Sequence, residues 1–146
     1  HVNWSLLQGA TMRSDPRYSI ASCFETFPFP DDASLAANKP LEGIAKRLYE
    51  TRAAFMIATD QGLTKTYNAL TDPNNTDRQI ENLRRLHEQL DRAVLDAYGQ
   101  SRIEVPPYVG ATPEQLERFQ DQVLDFLFTR NALLAKREAL ASRVRP

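Results

Sequence analysis

From Pro40 to the C-terminus, apolar residues recur every three or four positions, in runs too long for strands and separated by proline- and asparagine-rich breakers. Leu41, Ile44, Leu48 and Phe55 share a helical face. Pro40 suits a first helical position, and the run should close near Ala58, before Asp60-Gln61-Gly62. A short helix from about Leu63 to Leu70 places Leu63, Tyr67 and Leu70 on one side, then stops at Asp72-Pro73-Asn74-Asn75. Thr76 with Gln79 reads as a capping box, in which hydroxyl and side-chain amide each satisfy an unpaired amide donor. Ile80, Leu83, Leu86 or His87, Leu90, Val94 and Ala97 form the stripe behind it, and Gly99 is the expected left-handed terminator. Ile103 to Gly110 is a proline-rich connector. Thr112-Pro113-Glu114-Gln115 repeats the start signal. Leu116, Phe119, Val123, Phe126 or Leu127, Arg130, and Leu133 or Leu134 then carry a final helix to about Ser142. Such helices bury their stripes only against one another. The expected fold is mainly α: a helical bundle of three long helices plus a short one.

The first 39 residues differ, and a boundary is expected there: residues 1–39 as an extended arm, residues 40–146 as the helical bundle. The alternation Val2, Trp4, Leu6 fits a short half-buried strand. Asp15-Pro16 reads as a turn and Tyr18-Ser19-Ile20 as a second extended piece, so the arm holds one or two short strands. Phe27-Pro28-Phe29-Pro30 cannot be helix interior, because each proline removes an amide donor and biases its predecessor towards extended geometry. Asp31 to Lys39 reads as a polar loop.

The composition is that of an ordinary globular chain: 146 residues, 42% hydrophobic, 25% charged, formal net charge -1. No apolar run reaches the roughly 20 residues of a membrane span, so no membrane partner is expected. The single cysteine, Cys23, cannot pair within the chain, so a cytoplasmic location is expected. The chain begins His1-Val2-Asn3-Trp4, without methionine or signal-peptide profile, as expected of a piece cut from a longer protein.

The residues offer little chemistry. With only His1, His87 and Cys23 there is no zinc-ligand spacing, and the five glycines stand apart, so no phosphate loop or dinucleotide fingerprint exists. No catalytic residue and no metal ligand is assigned. His87 reads as a histidine packed at a helix–helix seam; as a general base it lacks a nucleophile and an orienting acid. Cys23 reads as an apolar filler. Val105-Pro106-Pro107-Tyr108 looks like the Pro-Pro-aromatic string of amino-methyltransferases, but valine cannot accept the target amine's hydrogen bond, so the string is read as structural. Charge is uneven: from residue 126 on, Arg130, Lys136, Arg137, Arg143 and Arg145 meet a single acid, Glu138. Such a basic end either complements the helix dipole or contacts phosphate.

The chain resembles a known family. Trp4-Ser5-Leu6 with Gly9, Asp15-Pro16-Arg17-Tyr18, and Ser22-Cys23-Phe24-Glu25-Thr26-Phe27-Pro28-Phe29-Pro30 resemble the segment closing the target-recognition region of MmeI-like adenine-specific DNA methyltransferases, found in fused restriction–modification proteins. Gly62-Leu63-Thr64-Lys65-Thr66-Tyr67-Asn68 is similar to that family's Gly-Leu-Thr…Tyr-Asn segment. Leu86-His87, Leu90-Asp91, Ala93-Val94 and Ala97-Tyr98-Gly99 look like a helix of the same family, and Asn131 to Arg137 like its closing Asn…Arg pattern. Gln100 stands where a tryptophan is common, and Val144-Arg145-Pro146 replaces a longer ending.

The resemblance implies a parent that binds S-adenosylmethionine, flips an adenine and methylates N6. The cofactor glycines and Asn-Pro-Pro-aromatic motif of that chemistry are missing here, so the chain is expected to hold no cofactor and transfer no methyl group by itself. It implies a C-terminal part that clamps double-stranded DNA or braces the parent's methyltransferase and target-recognition domains. Arg13, Arg17 and Lys65 are then the expected phosphate contacts. The phenylalanines are read as packing, with base stacking as the other use of such rings. A purely structural or oligomerising module without DNA contact is the competing reading.

Overall fold

A computed structural model describes residues 10–12, 15–17 and 20–144, with side chains from 20 to 141. Its packing forms two units: residues 30–116, and the segment through Phe29 together with the chain from Glu117 onward.

The first unit holds α1 (Asp32–Ala37), α2 (Lys39–Thr59), α3 (Leu63–Thr71), α4 (Arg78–Ala97) and the first turn of α5 (Pro113–Val144). α4 is its axis, since α1, α2 and α3 each pack against it. The core joins Leu48 and Phe55 of α2, Leu70 of α3 and Ile80, Leu83 and Leu86 of α4, flanked by Tyr67, Ala69, Leu90 and Tyr108. Withdrawing each large apolar side chain from water contributes about 1.5–3 kcal/mol.

Capping explains where α1, α4 and α5 start, and corrects two expectations. Residues 31–39 are not a loop throughout: the Asp31 carboxylate accepts the Ser34 amide at 2.8 Å and starts α1 on an alanine-rich run. α4 is capped by Asp77, not Thr76: Asp77 accepts the amides of Gln79 at 2.7 Å and Ile80 at 3.4 Å. Aspartate competes with threonine for the same role one residue later, and the ionised group also complements the positive helix end. At α5 the reciprocal box is present: Thr112 Oγ1 accepts the Gln115 amide at 3.3 Å and Gln115 Oε1 accepts the Thr112 amide at 2.9 Å.

Two helix ends are left-handed. Gly99 has φ +71°, the Gln100 amide reaches Leu95 O at 2.8 Å, and the Gly99 amide reaches Asp96 O at 2.9 Å. That 6→1 and 5→2 pair is a Schellman motif. α2 ends the same way on Asp60, at φ 50°, with the Gln61 amide on Met56 O at 3.1 Å.

Buried arginine stitches the loops. Arg84 of α4 sends Nε to Leu70 O at 2.9 Å, Nη1 to Asn75 O at 2.9 Å, and Nη2 to Asp72 O at 2.5 Å and Ala69 O at 3.4 Å. It thus serves the unpaired carbonyls that end α3 and the turn after it. Arg92 likewise donates to Ile103 O at 2.5 Å and Gln100 O at 3.2 Å, fixing the start of the connector. The α4 stripe differs from expectation in one place: Ala93, Leu95 and Ala97 are buried, while Val94 is 37% exposed. Leu63 is 50% exposed, outside the stripe assigned to it.

In the second unit, Ala10–Met12 and Asp15–Arg17 pair antiparallel, with Thr11 opposite Pro16. Asp15-Pro16, expected as a turn, therefore lies within a paired segment. The strand expected at Val2–Leu6 lies outside the described residues. Ile20 does not end an extended piece but opens a π-helical turn, Ile20–Phe24. Cys23 and Pro28 are fully buried, as is Leu127 of α5. Phe29 meets Phe24 edge-on at 5.3 Å and Phe27 at 4.7 Å. Arg130 of α5 donates Nε and Nη2 to Phe29 O at 3.1 and 2.9 Å, and Asn131 Nδ2 donates to Thr26 O at 2.6 Å. The α5 residues beyond this contact are mostly exposed, Leu133 and Leu140 included.

Candidate functional site

The cations expected at phosphate are not drawn into one constellation. Arg13 lies outside the described residues. Arg17 ends the second paired segment, where only its backbone is described. Lys65 is exposed on α3, in the other unit. At the basic end of α5, Lys136 and Arg137 are exposed, whereas Arg130 is engaged with Phe29 O.

A polar–aromatic cluster is assembled instead on the 30–116 unit. Four elements supply it: Arg52 from α2, Tyr67 from α3, His87 from α4 and Tyr108 from the connector. Arg52 Nη1 donates to the Tyr67 hydroxyl at 3.1 Å, and its guanidinium lies 5.9 Å from the Tyr49 ring centre. The His87 ring stands edge-on to Tyr67 at 5.9 Å and tilted against Tyr108 at 5.1 Å. His87 Nε2 is buried and has no hydrogen-bond partner among the described residues. Burial first, and the Arg52 charge second, hold the imidazole below its usual range. Burial raises the Tyr108 phenol. The Glu88 carboxylate accepts the Tyr108 amide at 2.7 Å, pinning the connector to α4.

This arrangement holds the imidazole among rings, and among the described residues no hydroxyl or thiol is hydrogen-bonded to its Nε2. Among the described residues, no three His, Cys, Asp or Glu side chains are grouped to hold a metal ion. Of Val105-Pro106-Pro107-Tyr108, Tyr108 is set against the core and Pro107 is exposed. Cys23 is buried, as an apolar filler is.

The clustering of Arg52 with His87 is not readable from spacing, since the two residues lie on different helices. Arg84 and Asn131 carry faint signals: an arginine inside an apolar stripe, and an asparagine within the Asn131–Arg137 string.

A stretch of 106 residues, 71% of this chain, is 32% identical to DNA methyltransferase A of Bacillus subtilis (strain 168). The chain spans about a tenth of that protein's length, since the match covers 10% of it. No family model matches the chain, and no solved structure does. The chain is thus related to a region of a DNA methyltransferase. No helix among the described residues is long and apolar enough to cross a membrane.

Proposed function

We propose that this chain is a non-catalytic, C-terminal part of a site-specific adenine-N6 DNA methyltransferase or restriction–modification enzyme. It braces the target-recognition domain and helps clamp double-stranded DNA. The observation carrying this reading is the 32% identity over 106 residues to a DNA methyltransferase ten times the length of the match. In the parent, S-adenosylmethionine is bound outside this chain, and the methyltransferase and target-recognition domains are its partners. Contacts here would orient the duplex through phosphate; they would not read bases. Arg13, Arg17 and Lys65 remain the proposed contacts.

Bracing has support of its own. Arg84, Arg92 and Arg130 donate to backbone carbonyls of their own chain, and so stiffen loops. A chain serving only to brace would show that economy of cations without meeting DNA. A low-salt band-shift titration of the chain with duplex DNA separates the two roles. Clamping by the chain alone predicts a shift that weakens as salt rises; no shift below about 100 µM, the weak end of non-specific affinity, rules out autonomous clamping and favours bracing.

A further inference from the structure

The proline-rich connector between α4 and α5 is held to the bundle in part through Tyr108, and His87 lies against that residue. Tyr108 packs against the core, its amide bound by Glu88 and its ring against His87. The imidazole also meets the edge-on ring of Tyr67, whose hydroxyl is tied to Arg52. We propose that His87 is a proton-sensitive latch: neutral, it lets Tyr108 and the connector dock on α4, and protonated, it releases them.

The physical case rests on what surrounds the ring. A second proton on His87 would place a cation whose buried Nε2 has no acceptor among the described residues. From α2 the nearest charge is another cation, Arg52. From α3 and the connector come the neutral phenols of Tyr67 and Tyr108. On α4 the charged neighbours are Glu88, Asp91 and Arg84. The Glu88 carboxylate accepts the Tyr108 amide, and Asp91 and Arg84 act on the Tyr108 phenol. Opening the connector exposes the imidazole to water, where the proton is solvated. Burial and Arg52 both oppose protonation while docked, so docking weakens as pH falls below the ordinary value of 6.5.

For a side chain that takes its proton only when open, the opening equilibrium rises about tenfold between pH 7.5 and 5.5. Hydrogen exchange of the chain, corrected for intrinsic rates, reads this directly. The amides of the non-proline residues from Ile103 to Gly110 are expected to open more at pH 5.5, by up to about tenfold, while the α2 and α4 interiors change less. His87→Phe, neutral and of similar shape, should abolish the rise; should circular dichroism show that it does not fold, His87→Gln takes its place. An unchanged wild-type connector overturns the latch. So does an equal rise in the variant, or a rise shared equally by the helix interiors.

Discussion

Replacing Arg84 with methionine would keep most of the side-chain stem and remove every donor. Three of the four carbonyls it serves lie within 2.9 Å, two of them, Leu70 O and Asp72 O, at the end of α3. A hydrogen bond from a charged donor is worth about 1.5–3 kcal/mol net, and solvent can reach some of the freed carbonyls in this part-buried turn. We therefore expect a loss of about 3–4 kcal/mol, a large share of the roughly 5–15 kcal/mol typical of a domain. Urea denaturation followed by circular dichroism would show it as a lower midpoint at unchanged slope. Arg84→Lys should recover only part of the loss, because an ammonium cannot serve carbonyls of residues 70, 72 and 75 with one planar fork. A loss below about 1 kcal/mol for Arg84→Met, by the same urea measurement, would refute the reasoning: the guanidinium would then be no better bonded to the protein than to water.

Two smaller perturbations test the helix ends. Asp77→Ala should cost about 1 kcal/mol and Thr76→Ala much less, because the aspartate makes the cap; equal losses in thermal melts would return the cap to Thr76. Gly99→Ala should cost about 1 kcal/mol from the left-handed backbone alone, as nothing lies within 4 Å of the added methyl. Asp60→Gly should act in the opposite sense at the other left-handed end, and a destabilised Asp60→Gly in the same melts would show that its backbone carries no strain.

Long amphipathic runs were legible because period and punctuation agreed. The α4 stripe up to Leu90, Gly99 and the Thr112–Gln115 box stand where spacing put them, since each depends on residues within one or two turns. The failures share a cause. Asp77 is a cap whose neighbour Thr76 reads equally well in sequence, Asp31 stands in a stretch whose polarity reads as loop, and Ile20, read as the end of an extended piece, opens a π-helical turn. The polar–aromatic cluster was less accessible still. His87 was readable as a packed seam residue, but its meeting with Arg52, 35 positions earlier, depends on how α2 crosses α4, which no local pattern encodes. The predicted phosphate contacts came from resemblance, and their geometry belongs to chemistry between chains.

The Arg130 and Asn131 bonds to the carbonyls of Phe29 and Thr26 join residues 101 and 105 positions apart. On a ribosome, that distance is time. At about 5–20 residues per second, the Phe-Pro-Phe-Pro segment waits on the order of 5–20 s for the helix that fastens it. The 30–116 unit is synthesised in the meantime and needs nothing from either end to bury its core. Synthesis thus imposes an order, inner unit first and discontinuous unit last. Throughout that interval the Thr26–Phe29 segment lacks the α5 side chains that bond its carbonyls.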